Sequence, residues 1–216
     1  MKKRFVVRIM GVALALSMSA LVACGNANKA DEGSTTSSST ANEEQEESNI
    51  NPPVLAAQEQ YDSIISELNS GQAYGYADIC PSFDVLLVSE DGAFDYDGNG
   101  SMGAINVKVY GLDKDGKVIE YGEANSGGTA YPLAVYDGCL MICNNERTMM
   151  EYIDDKAFSM ITKKCVEVSY DEDGNATYSY MDADTQTEGT ADDDSMMQEM
   201  YDMYSKATVI NFTVVE

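Results

Sequence analysis

The chain has 216 residues, with 13 Lys and Arg against 37 Asp and Glu, a formal charge of -24 at pH 7, and neither His nor Trp. The missing imidazole excludes Ser-His-Asp and Cys-His nucleophile pairs and histidine-ligated metals, so acid–base chemistry would fall to shifted Asp, Glu, Lys, Tyr or Cys. The acidity makes nucleic acid and anionic headgroups poor partners and leaves cations and basic surfaces as better ones.

In chain order, Lys2, Lys3, Arg4 and Arg8 precede an apolar stretch over residues 9–21, which ends in Leu21-Val22-Ala23-Cys24. An apolar run of about 13 residues is short of the roughly 20 that a membrane span needs, and it suits the h-region of a signal peptide. The segment resembles a bacterial lipoprotein signal, with Leu21 to Cys24 as the lipobox. That resemblance implies lipidation of the Cys24 sulfur, removal of residues 1–23, and an extracytoplasmic domain anchored to the cell membrane without spanning it. Two acyl chains hold such a domain stably on a bilayer. Nine basic residues would then remain against 37 acidic ones, a mature charge of -28.

Residues 24–52 comprise Cys24 and a Ser/Thr- and Glu-rich stretch almost free of apolar side chains, the composition of a disordered tether with a reach of roughly 30 Å. Residues 53–216 are long enough for one ordinary core. Asn51-Pro52-Pro53 and the helical spacing of Val54, Ala57, Tyr61, Ile64, Ile65 and Leu68 predict a helix over 54–68. Segments rich in β-branched and aromatic residues predict strands at 85–89, 104–112, 117–123, 131–136, 140–144, 148–153, 161–170 and 176–181. Asp-Gly steps in the short connectors suit antiparallel hairpins. A second loose acidic stretch follows, then a helix over 195–204 with Asp192, Asp193 and Asp194 at its positive end, and a closing strand over 207–215. The fold class this predicts is α+β: a mostly antiparallel sheet of about seven to nine strands, curled as a sandwich or half-barrel, with an N-terminal helix and a C-terminal helix plus strand.

Asp95-Tyr96-Asp97-Gly98-Asn99-Gly100-Ser101 has the sharpest spacing in the chain. It resembles the first half of an EF-hand calcium loop, which would make Asp95, Asp97, Asn99 and the Ser101 carbonyl ligands. The twelfth position, Asn106, departs from the bidentate Glu of that loop, and the flanks read as strands. The rival reading is a Gly-rich acidic turn. Asp171, Asp173 and Asn175 repeat the spacing without the turn glycine. The four remaining cysteines, Cys80, Cys139, Cys143 and Cys165, allow two disulfides or four buried thiols. On one strand, Cys139 and Cys143 lie roughly 13 Å apart and cannot pair with each other. Met196, Met197, Met200, Met203, Tyr201 and Tyr204 form an apolar stripe whose ordinary role is packing rather than copper binding.

Together, lipobox, tether and small Tyr-rich acidic domain resemble the small surface lipoproteins of Gram-positive gut anaerobes. Over 53–216 that resemblance carries no motif and no catalytic residue. The reading it supports is a lipid-anchored binding or interaction module for a polar or basic surface or a small ligand. The alternatives are a carboxylate-dependent hydrolase of cell-wall or dietary polymers, and a calcium-stabilised structural domain.

Overall fold

Val85–Ser89 is Val-Leu-Leu-Val-Ser, apolar at successive positions, which is the composition of a strand covered on both faces. In the computed structural model, which describes residues 58–216, all five of its residues are buried. The described residues fall in one compact unit, and Cys24, the tether and residues 54–57 of the predicted N-terminal helix lie outside them.

The elements in order are α1 (Asp62–Ser66), β1 (Ala73–Ala77), β2 (Val85–Ser89), β3 (Phe94–Asp95), β4 (Met102–Gly103), β5 (Asn106–Leu112), β6 (Val118–Asn125) and β7 (Ala134–Tyr136). They continue with β8 (Cys139–Cys143), β9 (Arg147–Asp154), β10 (Ser159–Tyr170), β11 (Ala176–Asp182), β12 (Thr187–Ala191), α2 (Ser195–Tyr204), β13 (Thr208–Val209) and β14 (Thr213–Val214). A five-stranded sheet runs β14-β1-β2-β5-β6 and a seven-stranded sheet runs β12-β11-β10-β9-β8-β7-β13, with β3-β4 as a separate hairpin. Every pairing is antiparallel. The fold is therefore the predicted β-rich α+β class, with two open sheets.

Pleating divides the seven-stranded sheet between two cores. Leu140 and Ile142 of β8 join Met149 and Ile153 of β9 in a core shared with Leu86, Leu87, Val107 and Val109 of the other sheet. Cys139, Met141 and Cys143, on the opposite face of β8, pack with Met150, Val166, Met197 and Met200 beneath α2. The methionine stripe of α2 is thus core packing. Tyr131 stacks on Tyr201 with centroids 5.3 Å apart, and the Tyr201 and Tyr204 hydroxyls donate to the carbonyls of Asn144 and Pro132 at 3.1 and 2.6 Å. These bonds tie the helix to the β8–β9 turn and to the segment that enters β7.

Over the described residues the predicted N-terminal helix is helical at 58–60 and Asp62–Ser66 with an interruption at Tyr61, and Tyr61, Ile64, Ile65 and Leu68 pack on the shared core. Two expectations need correction. The closing strand is two strands in different sheets: β13 pairs with β7 and β14 with β1. Between them Ile210 N–H donates to Leu133 O and Phe212 N–H to Met102 O, so the segment crosses from one sheet to the other. The second acidic stretch contains a strand, β12, paired with β11 over five residues.

Candidate functional site

The seven-stranded sheet gathers four chain segments at one end, and local chemistry fixes each. Asp137 and Gly138 both have positive φ, 50° and 67°, the two-residue turn that an Asp-Gly step favours between β7 and β8. At the β11–β12 turn, the Asp182 carboxylate accepts from the amides of Asp184 and Thr185 at 2.9 and 3.2 Å. In β10 the register against β9 slips between Thr162 and Lys164, leaving Lys163 as the extra residue of a bulge. A bulge re-aims a side chain that regular pleating would send to the other face. Lys163 and Lys164 consequently serve the same side: Lys164 pairs with Asp182 at 2.9 Å, and Lys163 pairs with Asp137 at 3.2 Å and Asp184 at 3.5 Å.

These turns, with residues 78–81 after β1, enclose an open basin of about 370 Å³. Ile79, Pro81, Cys80, Cys139, Tyr152 and Ala183 make its apolar wall, and Asp78, Asp137, Asp184 and Lys163 are its charges. Burial works against the Lys163 ammonium, but Asp137, Cys139 and Asp184 outweigh it and hold its pKa above the usual value. Burial pushes the Cys139 thiol up, and Asp137 and Asp184 add to this against the lowering effect of Lys163. Burial likewise raises Cys80, against two backbone hydrogen bonds that lower it. Both sulfurs are therefore neutral thiols near pH 7 and poor nucleophiles. The basin sets three carboxylates against one ammonium.

The predicted site residues are dispersed. All four described cysteines are free thiols, so the disulfide alternative is not formed. Cys139 and Cys143 face α2, whereas Cys165 packs on the shared core on the other side of the same sheet. Of the described cysteines, Cys80 and Cys139 both line the basin. The D-x-D-x-N-G segment is the tip of the β3–β4 hairpin. Asp95 accepts from the amides of Gly98 and Gly100 at 2.8 and 3.1 Å, and Asp97 from those of Asn99 and Ser101 at 2.8 and 3.3 Å. The Asn99 amide and the Ser101 hydroxyl and amide bonds hold the Asp97 carboxyl below its usual value. The spacing thus has a structural use, since the carboxylates organise the turn through its own amides. Among the described residues, no group of three or more His, Cys, Asp or Glu is placed to hold a metal ion. Asp171 does the same at the β10–β11 turn, accepting from Asp173 N–H, Asn175 N–H and Asn175 Nδ2.

A hydrolase would require an acid of raised pKa facing substrate. Burial raises the Glu151 carboxyl above its usual 4.5, with the Thr162 hydroxyl and Arg147 acting against the shift. Glu151 sits between Met149 and Ile153 along β9 and faces the shared core, opposite to its neighbour Tyr152, which lines the basin. Its elevated pKa is a stability statement: the favourable contribution is complete below the ordinary carboxylate range and is lost as pH rises through the elevated value. Glu151→Gln keeps the acceptor for Thr162, 3.0 Å away. It is expected to raise the thermal midpoint near neutral pH and to have no effect in acid; equal midpoints at both pH values would contradict the assignment.

Lys163 carried no sequence signal beyond its charge, since a bulge is visible only once β9 and β10 are paired. No family model, curated protein or solved structure matches the chain.

Proposed function

We propose that this chain is a lipid-anchored, extracytoplasmic binding module. Its ligand is a small molecule with an apolar body and an ammonium group, seated in the basin at the end of the seven-stranded sheet. The observation that carries the reading is the placement of Lys163 by a bulge between carboxylates from two separate turns, beside an apolar wall. The pocket is pre-formed, and its charges sum to a net demand for cations. The bond from Lys163 to Asp137 and Asp184 braces the turns while leaving Asp78 exposed at the rim. The lipobox ending at Cys24 supports the anchor.

The test has two arms. Phenethylamine titrated into the protein should shift the amide resonances of residues 78–81, 137–139 and 183–184, while phenylpropionate, of similar size and opposite charge, should not. The double variant Asp137→Asn, Asp184→Asn should weaken the amine about tenfold, the scale of two partly exposed charge pairs. Equal binding of amine and carboxylate, or shifts confined to other residues, would refute the basin as an ammonium site. In the second arm, Cys24→Ala expressed in a bacterium with a lipoprotein pathway should lose membrane fractionation; retention on the membrane would refute the anchor.

A further inference from the structure

The seven-stranded sheet ends on β12, whose outer edge pairs with no other described strand. An unpaired edge presents a row of backbone N–H and C=O groups, and natural sheets blunt such edges with Pro, Lys, bulges or a covering element. β12 is Thr-Glu-Gly-Thr-Ala, in unbroken register with β11 over five pairs, and Thr187, Glu188, Gly189 and Thr190 are all exposed. The other edge of this sheet, β13, is only two residues long. At Gly189 an added Cβ would lie 2.9 Å from the Tyr180 hydroxyl, so the tyrosine of β11 reaches beneath the glycine and keeps the weakest residue of the edge extended. The strand is thus regular, and its outer edge is open among the described residues.

The surrounding charge has one sign. Residues 182–194 contain six carboxylates, Asp182, Asp184, Glu188, Asp192, Asp193 and Asp194, and no Lys or Arg. Lys164 and Lys163 offset the first two. Glu188 lies on the strand itself, and Asp192 to Asp194 follow its end. A second copy of this chain would bring the same acids to the edge, and like charges across strands are destabilising. A basic strand would bring the opposite ones.

We infer that β12 is a docking edge for an extended, lysine- or arginine-bearing polypeptide segment of a partner protein, which adds an eighth antiparallel strand to the sheet. Main-chain pairing supplies the contact, and alternate basic side chains meet Glu188 and the acids that flank the strand. This site is separate from the basin ligand and does not depend on it.

The probe is an eight-residue peptide of alternating lysine and threonine, capped at both ends. It is compared with the same peptide N-methylated at its threonines, which keeps every charge and removes half of the backbone donors. Binding of the unmodified peptide should slow hydrogen exchange by about tenfold or more at outward-facing amides within residues 187–191, and N-methylation should abolish that protection. Protection elsewhere, or equal binding of the two peptides through charge alone, would overturn strand addition. So would mutual protection of residues 187–191 in the protein alone at high concentration with a doubled mass, which would make a second copy the occupant.

Discussion

Phe212→Ala should cost about 3–5 kcal/mol, as removal of a buried phenylalanine ring from a packed core does. For a folded part of this size that lowers the thermal midpoint by about 6–20 °C. Phe212 is 2% exposed and sits where the chain crosses from the seven-stranded sheet to the five-stranded one. The crossing passes close over β1: a Cβ at Gly75 would lie 3.0 Å from Asn211 O and 3.4 Å from the Phe212 ring. Glycine at 75 admits the segment, and the ring fills the shared core it enters. Val214→Ala, two residues on and 37% exposed, should change stability by less than about 0.5 kcal/mol. Calorimetry on the three proteins decides the matter; equal shifts for the two variants would show that the crossing does not hold the sheets together.

How legible the fold was depended on the kind of residue that built each element. Strands set off by turn signals can be read almost to the residue, from an apolar run in one case and alternating tyrosines in the other: β2 occupies the predicted 85–89, and Ala176–Asp182 the predicted 176–181. The helix at 195–204 was legible for the same reason, since a methionine stripe at helical spacing has one face to bury. β1 was missed because Ala-Tyr-Gly-Tyr-Ala has no β-branched residue. Its central Gly75 lets Ile210 and Phe212 approach, a tertiary fact. β12 was missed because Thr-Glu-Gly-Thr-Ala has no apolar face, and a neighbouring strand supplies its extended conformation.

The candidate site was less legible than the fold. Asp137-Gly138 was readable as a turn, but nothing local says that it closes beside the β11–β12 turn. Conversely, the Asp95 to Ser101 spacing looked like metal chemistry because a carboxylate that accepts backbone amides and one that ligates calcium make the same demand on sequence. Both need oxygens at alternate positions and glycine where the chain turns sharply. The hydrogen bonds from Gly98, Gly100, Asn99 and Ser101 show the first use, a turn organised by its own carboxylates, and those bonds are written in coordinates alone.

Glycines in such turns are not equivalent, and Gly92→Ala is expected to be far more damaging than Gly98→Ala. Both sit at positive φ, 83° and 73°, where an L side chain costs roughly 1 kcal/mol or more. At Gly98 an added Cβ meets nothing within 4 Å, so that backbone cost is the whole effect. At Gly92 the Cβ would lie 2.5 Å from Gly71 O, a backbone atom that cannot rotate away. Gly71 is itself held by its N–H bond to Val215 O at 2.9 Å, which continues the β1–β14 pairing. Gly92 is fixed in turn by the Ser89 hydroxyl, which donates to its carbonyl at 2.6 Å. Relieving the clash must therefore pull the end of β2 away from the start of β1, at an expected total of about 3 kcal/mol or more. Urea denaturation of both variants measures the difference directly. Similar midpoints would mean that residues 71 and 92 separate freely, and that the contact between these loops contributes little to the five-stranded sheet.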